Sequence, residues 1–164
     1  MKLGIAATSV VIAVAAMLAG PAFAREGTTA KIIAFTASYS GTAVVQVNES
    51  VADISATGTG KGTVIGASKI TGVGKGDSSV QPCVPFTGPG TMAAANGTKL
   101  MFTVIAGSQG CGDEAGQVFS ISGKAKVTKG AGKLKKARGT LKFSGVYDRG
   151  QGTFSVKFKG SLTV

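Results

Sequence analysis

The chain of 164 residues has no histidine and no tryptophan, and only 7 acidic residues against 18 basic ones. Without histidine, neither an imidazole base nor a Ser-His or Cys-His nucleophile is available, which removes the hydrolases built on them. Two cysteines with no histidine leave too few soft ligands for a zinc centre. Beyond the first 24 residues leucine is confined to Leu100, Leu134, Leu141 and Leu162, and no segment carries a 3.6-residue apolar period, so helices are not expected. The 2 tyrosines cannot form the aromatic girdles of an outer-membrane barrel, and the strands bear lysine on the face opposite a strongly apolar one, so that reading is disfavoured too.

What is present begins with a leader. Lys2 supplies a positive n-region, Leu3 to Ala19 an apolar stretch, Gly20-Pro21 a helix break, and Ala22-Phe23-Ala24 the small residues of a cleavage site. Met1 to Ala24 therefore reads as a signal peptide, against the competing reading of a membrane anchor, and Arg25 to Val164 as one domain. Export to the periplasm or outside the cell follows. In such an oxidising setting Cys83 and Cys111 are expected to bridge, stabilising by about 3–4 kcal/mol through loop closure, the alternative being two free thiols.

Valine, isoleucine, threonine, serine and phenylalanine alternate in short runs between glycines, of which there are 26. In Gly152 to Val164, one parity holds Phe154, Val156, Phe158, Gly160, Leu162 and Val164, and the other Ser155, Lys157, Lys159, Ser161 and Thr163. Arg138 to Tyr147 repeats the pattern with Leu141, Phe143, Gly145 and Tyr147 inward, and Gln117 to Thr128 with Phe119, Ile121, Gly123, Ala125 and Val127. Ala95-Asn96-Gly97-Thr98 marks a two-residue hairpin between strands near Phe86–Ala93 and Lys99–Ala106. Earlier strands are expected near Lys31–Tyr39, Thr42–Asn48, Val51–Gly58 and Thr63–Thr71, with the option that they merge. Seven to nine short antiparallel strands make an all-β sandwich or closed barrel.

The segment Gly130-Ala131-Gly132-Lys133-Leu134-Lys135-Lys136-Ala137-Arg138-Gly139 resembles a turn of plant dirigent proteins and, more loosely, of allene oxide cyclases. Ala56 to Gly66 and Ala93 to Leu100 are similar to segments of small secreted bacterial proteins related to the allene oxide cyclase barrel. The resemblance implies a single antiparallel barrel of about eight strands. It also implies function through a barrel pocket, as in radical coupling or cyclisation of a bound ligand. Gly130, Gly132, Lys133, Ala137, Arg138 and Gly139 match the turn motif, and their expected role is to fix a bend. Leu134 stands where these families have phenylalanine.

Candidate chemistry is thin. Asp113-Glu114 beside Cys111 reads as a solvated turn before it reads as an acid/base pair, and Asp53 points outward if Ala52, Ile54 and Ala56 face the core. Gly58 to Thr63 looks like a phosphate loop, but a strand follows where a helix is needed. No cofactor is expected. Arg25 to Ser120 holds six basic and six acidic residues, whereas Ile121 to Val164 holds eleven basic residues and one acidic residue, Asp148. Lys124, Lys126, Lys142, Lys157 and Lys159 share the outward parity and form one basic face. That face suits an anionic surface or polymer, or serves solubility; specific nucleic-acid binding is disfavoured because no aromatic residue interleaves. The sequence favours an exported, non-enzymatic barrel binding a small apolar ligand or an anionic envelope surface, with a cyclase-, isomerase- or dirigent-like enzyme as the alternative.

Overall fold

The computed structural model describes residues 30–164; the expected leader lies outside the described residues. The described chain forms nine strands: β1 (Ile32–Asn48), β2 (Val51–Gly62), β3 (Gly66–Asp77), β4 (Cys83–Ala94), β5 (Lys99–Val104), β6 (Gln109–Gly112), β7 (Val118–Ala131), β8 (Arg138–Asp148) and β9 (Thr153–Thr163). Each strand is antiparallel to its neighbours, and β1 pairs with both β2 and β9. The sheet also closes on its other side, where β3 meets β4. The short strands β5 and β6 share one position between β4 and β7, so the wall is a closed eight-position barrel. Inward side chains are mostly apolar while the outer face of β7 to β9 carries lysine, serine and threonine, the reverse of a lipid-facing barrel. Among the described residues no helix is long and apolar enough to cross a membrane.

The alternation expected for the last three long strands is present: Val127, Leu141, Phe143, Val156, Phe158 and Leu162 are buried, and the lysines between them are exposed. Of the four early strands, the first two merge. Lys31–Tyr39 and Thr42–Asn48 are parts of the 17-residue β1, because Gly41 serves close strand approach and not a turn. A Cβ there would collide with the Thr57 carbonyl oxygen of β2. The Asn96-Gly97 hairpin forms, but with three loop residues, Ala95, Asn96 and Gly97. Ala94 N–H donates to the Thr98 carbonyl (2.9 Å), and Gly97 takes a positive φ of 82°.

Glycine inside strands has a second role in so narrow a barrel, whose eight-strand interior is just wide enough for side chains to fill. A Cβ on Gly60 would lie 2.6 Å from the Tyr39 ring, and one on Gly58 3.0 Å from Phe154. On Gly90 it would strike the Phe102 ring. Each of these glycines makes room for an aromatic ring.

The two ends of the barrel differ. At one end lie the β2–β3, β4–β5 and β7–β8 connections and the last residue of β9. There Phe35, Ile65, Leu100, Leu134, Leu141 and Leu162 are fully buried, so all four leucines of the domain close this end. At the other end lie the β1–β2, β3–β4, β6–β7 and β8–β9 connections, and the inward positions are mostly small.

Candidate functional site

The small inward residues leave a cavity of about 260 Å³ that opens at the second end. One wall, from β1 to β3, is built of Ala43, Val45, Ala52, Ile54, Gly72 and Gly74. The facing wall is aromatic. Phe143 lies 6.2 Å from Phe86 and 5.8 Å from Phe158 between ring centroids, and Phe119 lies 6.2 Å from Tyr147, all tilted against one another. Alternation on β4, β7, β8 and β9 projects these rings inward, and the alanines and glycines opposite do not reach them.

At the mouth Ser78, Gln81, Tyr147 and Arg149 line the opening, and Thr71 and Thr87 add hydroxyls along the β3–β4 side. Gln81 Nε2 donates to the Ser78 carbonyl at 3.0 Å, which holds the loop after β3 in place. Among the described residues no aspartate or glutamate lines the cavity, and no three metal-ligating side chains cluster. The rim is partly apolar, with Val47, Val80 and Val118 all exposed.

The wall is thinnest between β3 and β4. Gly72 pairs with Gly90 and Lys75 with Thr87, but the two rungs between them are missing, where Pro89 has no N–H to give. Gly72 itself has room, since a Cβ there would meet only the Pro89 carbonyl oxygen, at 3.7 Å.

Cys83 and Cys111 are directly opposed on β4 and β6 and joined by a disulfide, as expected. Val84 and Gly110 beside them face the cavity, so by alternation the bridge lies on the outer side of the mouth and leaves it open. It anchors β6, whose four residues make only short ladders with β4 and β7.

The turn motif lies at the closed end, away from the cavity. Gly132, Lys133 and Leu134 form a single 3-10 turn that tucks Leu134 and Ala137 into the core, both with 0% exposure. Ala137 N–H donates to the Leu134 carbonyl at 2.9 Å, and the Arg138 guanidinium to the Ala137 carbonyl at 2.8 Å. Gly132 has φ 60°, and a Cβ there would lie 2.9 Å from the Thr98 backbone. A Cβ on Gly130 would strike the Leu134 carbonyl, and one on Gly139 would lie 2.6 Å from that of Ser161. Lys133 and Arg138 are exposed. The motif is thus a plug whose glycines are set by backbone contact.

Of the carboxylates singled out from sequence, Asp53 pairs with Lys75 across β2 and β3 on the outer surface, at 2.7 Å. Hydrogen bonding and charge from Lys75 hold its carboxyl below the usual range. Asp113 accepts the Gln117 and Val118 N–H groups at 2.8 and 3.2 Å, the arrangement of a capped turn. Hydrogen bonds from Ser79 lower Asp77 in the same way. Inside the barrel, below the cavity, Tyr39 hydroxyl bonds to Ser68 Oγ at 2.8 Å, and burial pushes its phenol up from the ordinary value near 10.0.

Lys124, Lys126, Lys142, Lys157 and Lys159 are all exposed on β7, β8 and β9, where they form the expected common face. The cavity wall from β1 to β4 is what the sequence reading missed. Its signal was a difference in size: inward positions of the first four strands are mostly Ala, Gly and Val, those of the last three include Phe119, Phe143, Phe154 and Phe158. Searches of family models, curated proteins and solved structures found no match to this chain.

Proposed function

We propose that this protein is an exported, non-enzymatic barrel that binds a small apolar molecule in the cavity below Tyr147 and Arg149. The carrying observation is the cavity itself, an aromatic wall facing an alanine and glycine wall. A cavity of 150 Å³ takes benzene, so a volume of about 260 Å³ suits a ligand of on the order of ten non-hydrogen atoms. Carbon-lined walls supply affinity by removing apolar surface from water, and the polar mouth orients the ligand's polar end. The disulfide supports placement in an oxidising compartment. Kinship with the allene oxide cyclase and dirigent barrels belongs to the same proposal, resting on the turn motif and the closed antiparallel wall.

The second reading is an enzyme of cyclase, isomerase or dirigent type, in which the pocket shapes a reactive ligand. Tyr147, a half-buried phenol at the mouth, favours it. Binding is the better-supported reading, because the described cavity lining offers no carboxylate for proton transfer.

Titration with naphthalene and indole, followed by heteronuclear NMR, tests the proposal. Phe119, Phe143 and Tyr147 ring signals should shift, and Gly72→Leu, which projects a side chain into the cavity, should weaken binding at least tenfold while the fold is kept. Undiminished affinity in Gly72→Leu, or no shift with either probe, overturns it.

A further inference from the structure

Once the connections are placed, the charges sort by position along the barrel. Glu49, Asp53, Asp77, Asp113, Glu114 and Asp148, every acidic residue among those described, lie in or near the mouth-end connections. Of the basic residues only Lys75 and Arg149 join them; the rest lie around the waist and the closed end. The Lys75–Asp53 pair at the mouth half is the one ion pair among the described residues.

Within the basic region the register lines up like charges. Lys124 is directly opposite Lys142, and Lys142 directly opposite Lys159, so three ammonium groups form a row across β7, β8 and β9. Neighbouring strands are about 4.8 Å apart, and like charges so opposed destabilise a sheet. Lys126 extends the row on β7 and Lys157 on β9. In the next row Lys157 and Lys61 both face Ser38, which carries the track over β1 to β2. Between the lysines stand short hydroxyl side chains, Ser122, Ser144, Thr140, Ser161, Thr36 and Ser38, all exposed.

We propose that this track binds an anionic polysaccharide lying across the strands. Solubility alone is served by interspersed charges of both signs, with no need for three lysines side by side and every described acidic side chain toward the far end. A linear polyanion relieves the repulsion, and the serine and threonine hydroxyls match the hydroxyl groups of a sugar chain. A flat bilayer would touch a convex wall along a narrow strip, and no aromatic or aliphatic anchor interrupts the row. A single-stranded nucleic acid would find no ring on which to stack a base.

The test uses the disulfide-bonded protein with polygalacturonate, phosphatidylglycerol vesicles and duplex DNA, each over a range of salt. Two triple variants with equal loss of charge are compared: Lys124→Gln/Lys142→Gln/Lys159→Gln in the row, and Lys69→Gln/Lys99→Gln/Lys135→Gln elsewhere. Polygalacturonate should bind the wild type with an affinity that falls steeply as salt rises. The row variant should lose about 30-fold with a shallower salt slope, and the other variant under about threefold. Freed of like-charge repulsion, the row variant should melt no lower than wild type at low salt; should it fail to fold, Lys142→Gln alone carries the test, with an expected loss of about threefold. Equal losses in both triples would reduce the track to net charge. Tighter binding of vesicles or DNA than of polygalacturonate would assign the face to a different partner and overturn the proposal.

Discussion

The closed end and the mouth end of this barrel are built from the same strands by opposite choices of side chain. At the closed end leucine, isoleucine and phenylalanine fill the bore, and the 3-10 turn adds Leu134 and Ala137 as a plug. At the mouth, the same inward parity carries alanine, valine and glycine on one side and rings on the other, and a void is left between them. Close packing places stability where the bore is filled, and the proposed binding falls where it is not. The disulfide sits at the mouth end, on β6, the shortest strand.

If stability is divided in this way, truncation at the closed end should be the most damaging change. Leu162→Ala should cost about 2–5 kcal/mol, because a fully buried side chain leaves a new hole in close packing. Ile54→Ala on the cavity wall should cost on the order of 1 kcal/mol, since the atoms removed already border a void. Urea denaturation of both variants measures the difference, and equal losses would show that the two ends are not distinct.

Replacing both cysteines with serine should cost about 2–4 kcal/mol. The loss should be felt at the mouth first, with faster amide exchange in Gln109–Gly112 than in β8 and β9. Uniform acceleration over the whole barrel would contradict a mouth held together by the bridge.

Tyr39→Phe should have the smallest effect, about 1 kcal/mol for the lost hydrogen bond to Ser68. It also carries a pH signature. Burial raises the Tyr39 phenol above its ordinary value near 10.0, so the folded state holds its proton where the unfolded chain releases it. Stability from this group is intact below about pH 10 and falls as pH climbs past that value. The phenylalanine variant should lose this part of the alkaline decline in thermal melts, while its behaviour near neutrality stays close to wild type.

The sequence was most legible where alternation was strict. In Phe154 to Val164 and Leu141 to Ser144, apolar or glycine positions and polar ones alternate step by step, and the burial follows that pattern. It was least legible around Gly41 and Gly58 to Gly62, where glycine reads as punctuation but occupies strand interiors beside Thr57, Tyr39 and Phe154. The strand Gln109–Gly112 went unnoticed because four residues are too few to show a period. Of the candidate site, the disulfide and the lysine face were readable. The cavity was not, because its two walls come from strands far apart in sequence.

Period-two alternation, the lone cysteine pair and the excess of lysine in the last strands are local or compositional, and from them the sequence alone determined an all-strand chain with a bridged cysteine pair and one basic face. Tertiary structure decided the rest. Only closure of the sheet, with β5 and β6 sharing one position, sets which inward residues face one another across the bore. That closure placed the leucines at one end and the void at the other. It also set Lys124, Lys142 and Lys159 in one row, with the described acidic side chains toward the mouth, because register between strands is a property of the whole barrel and not of any one strand.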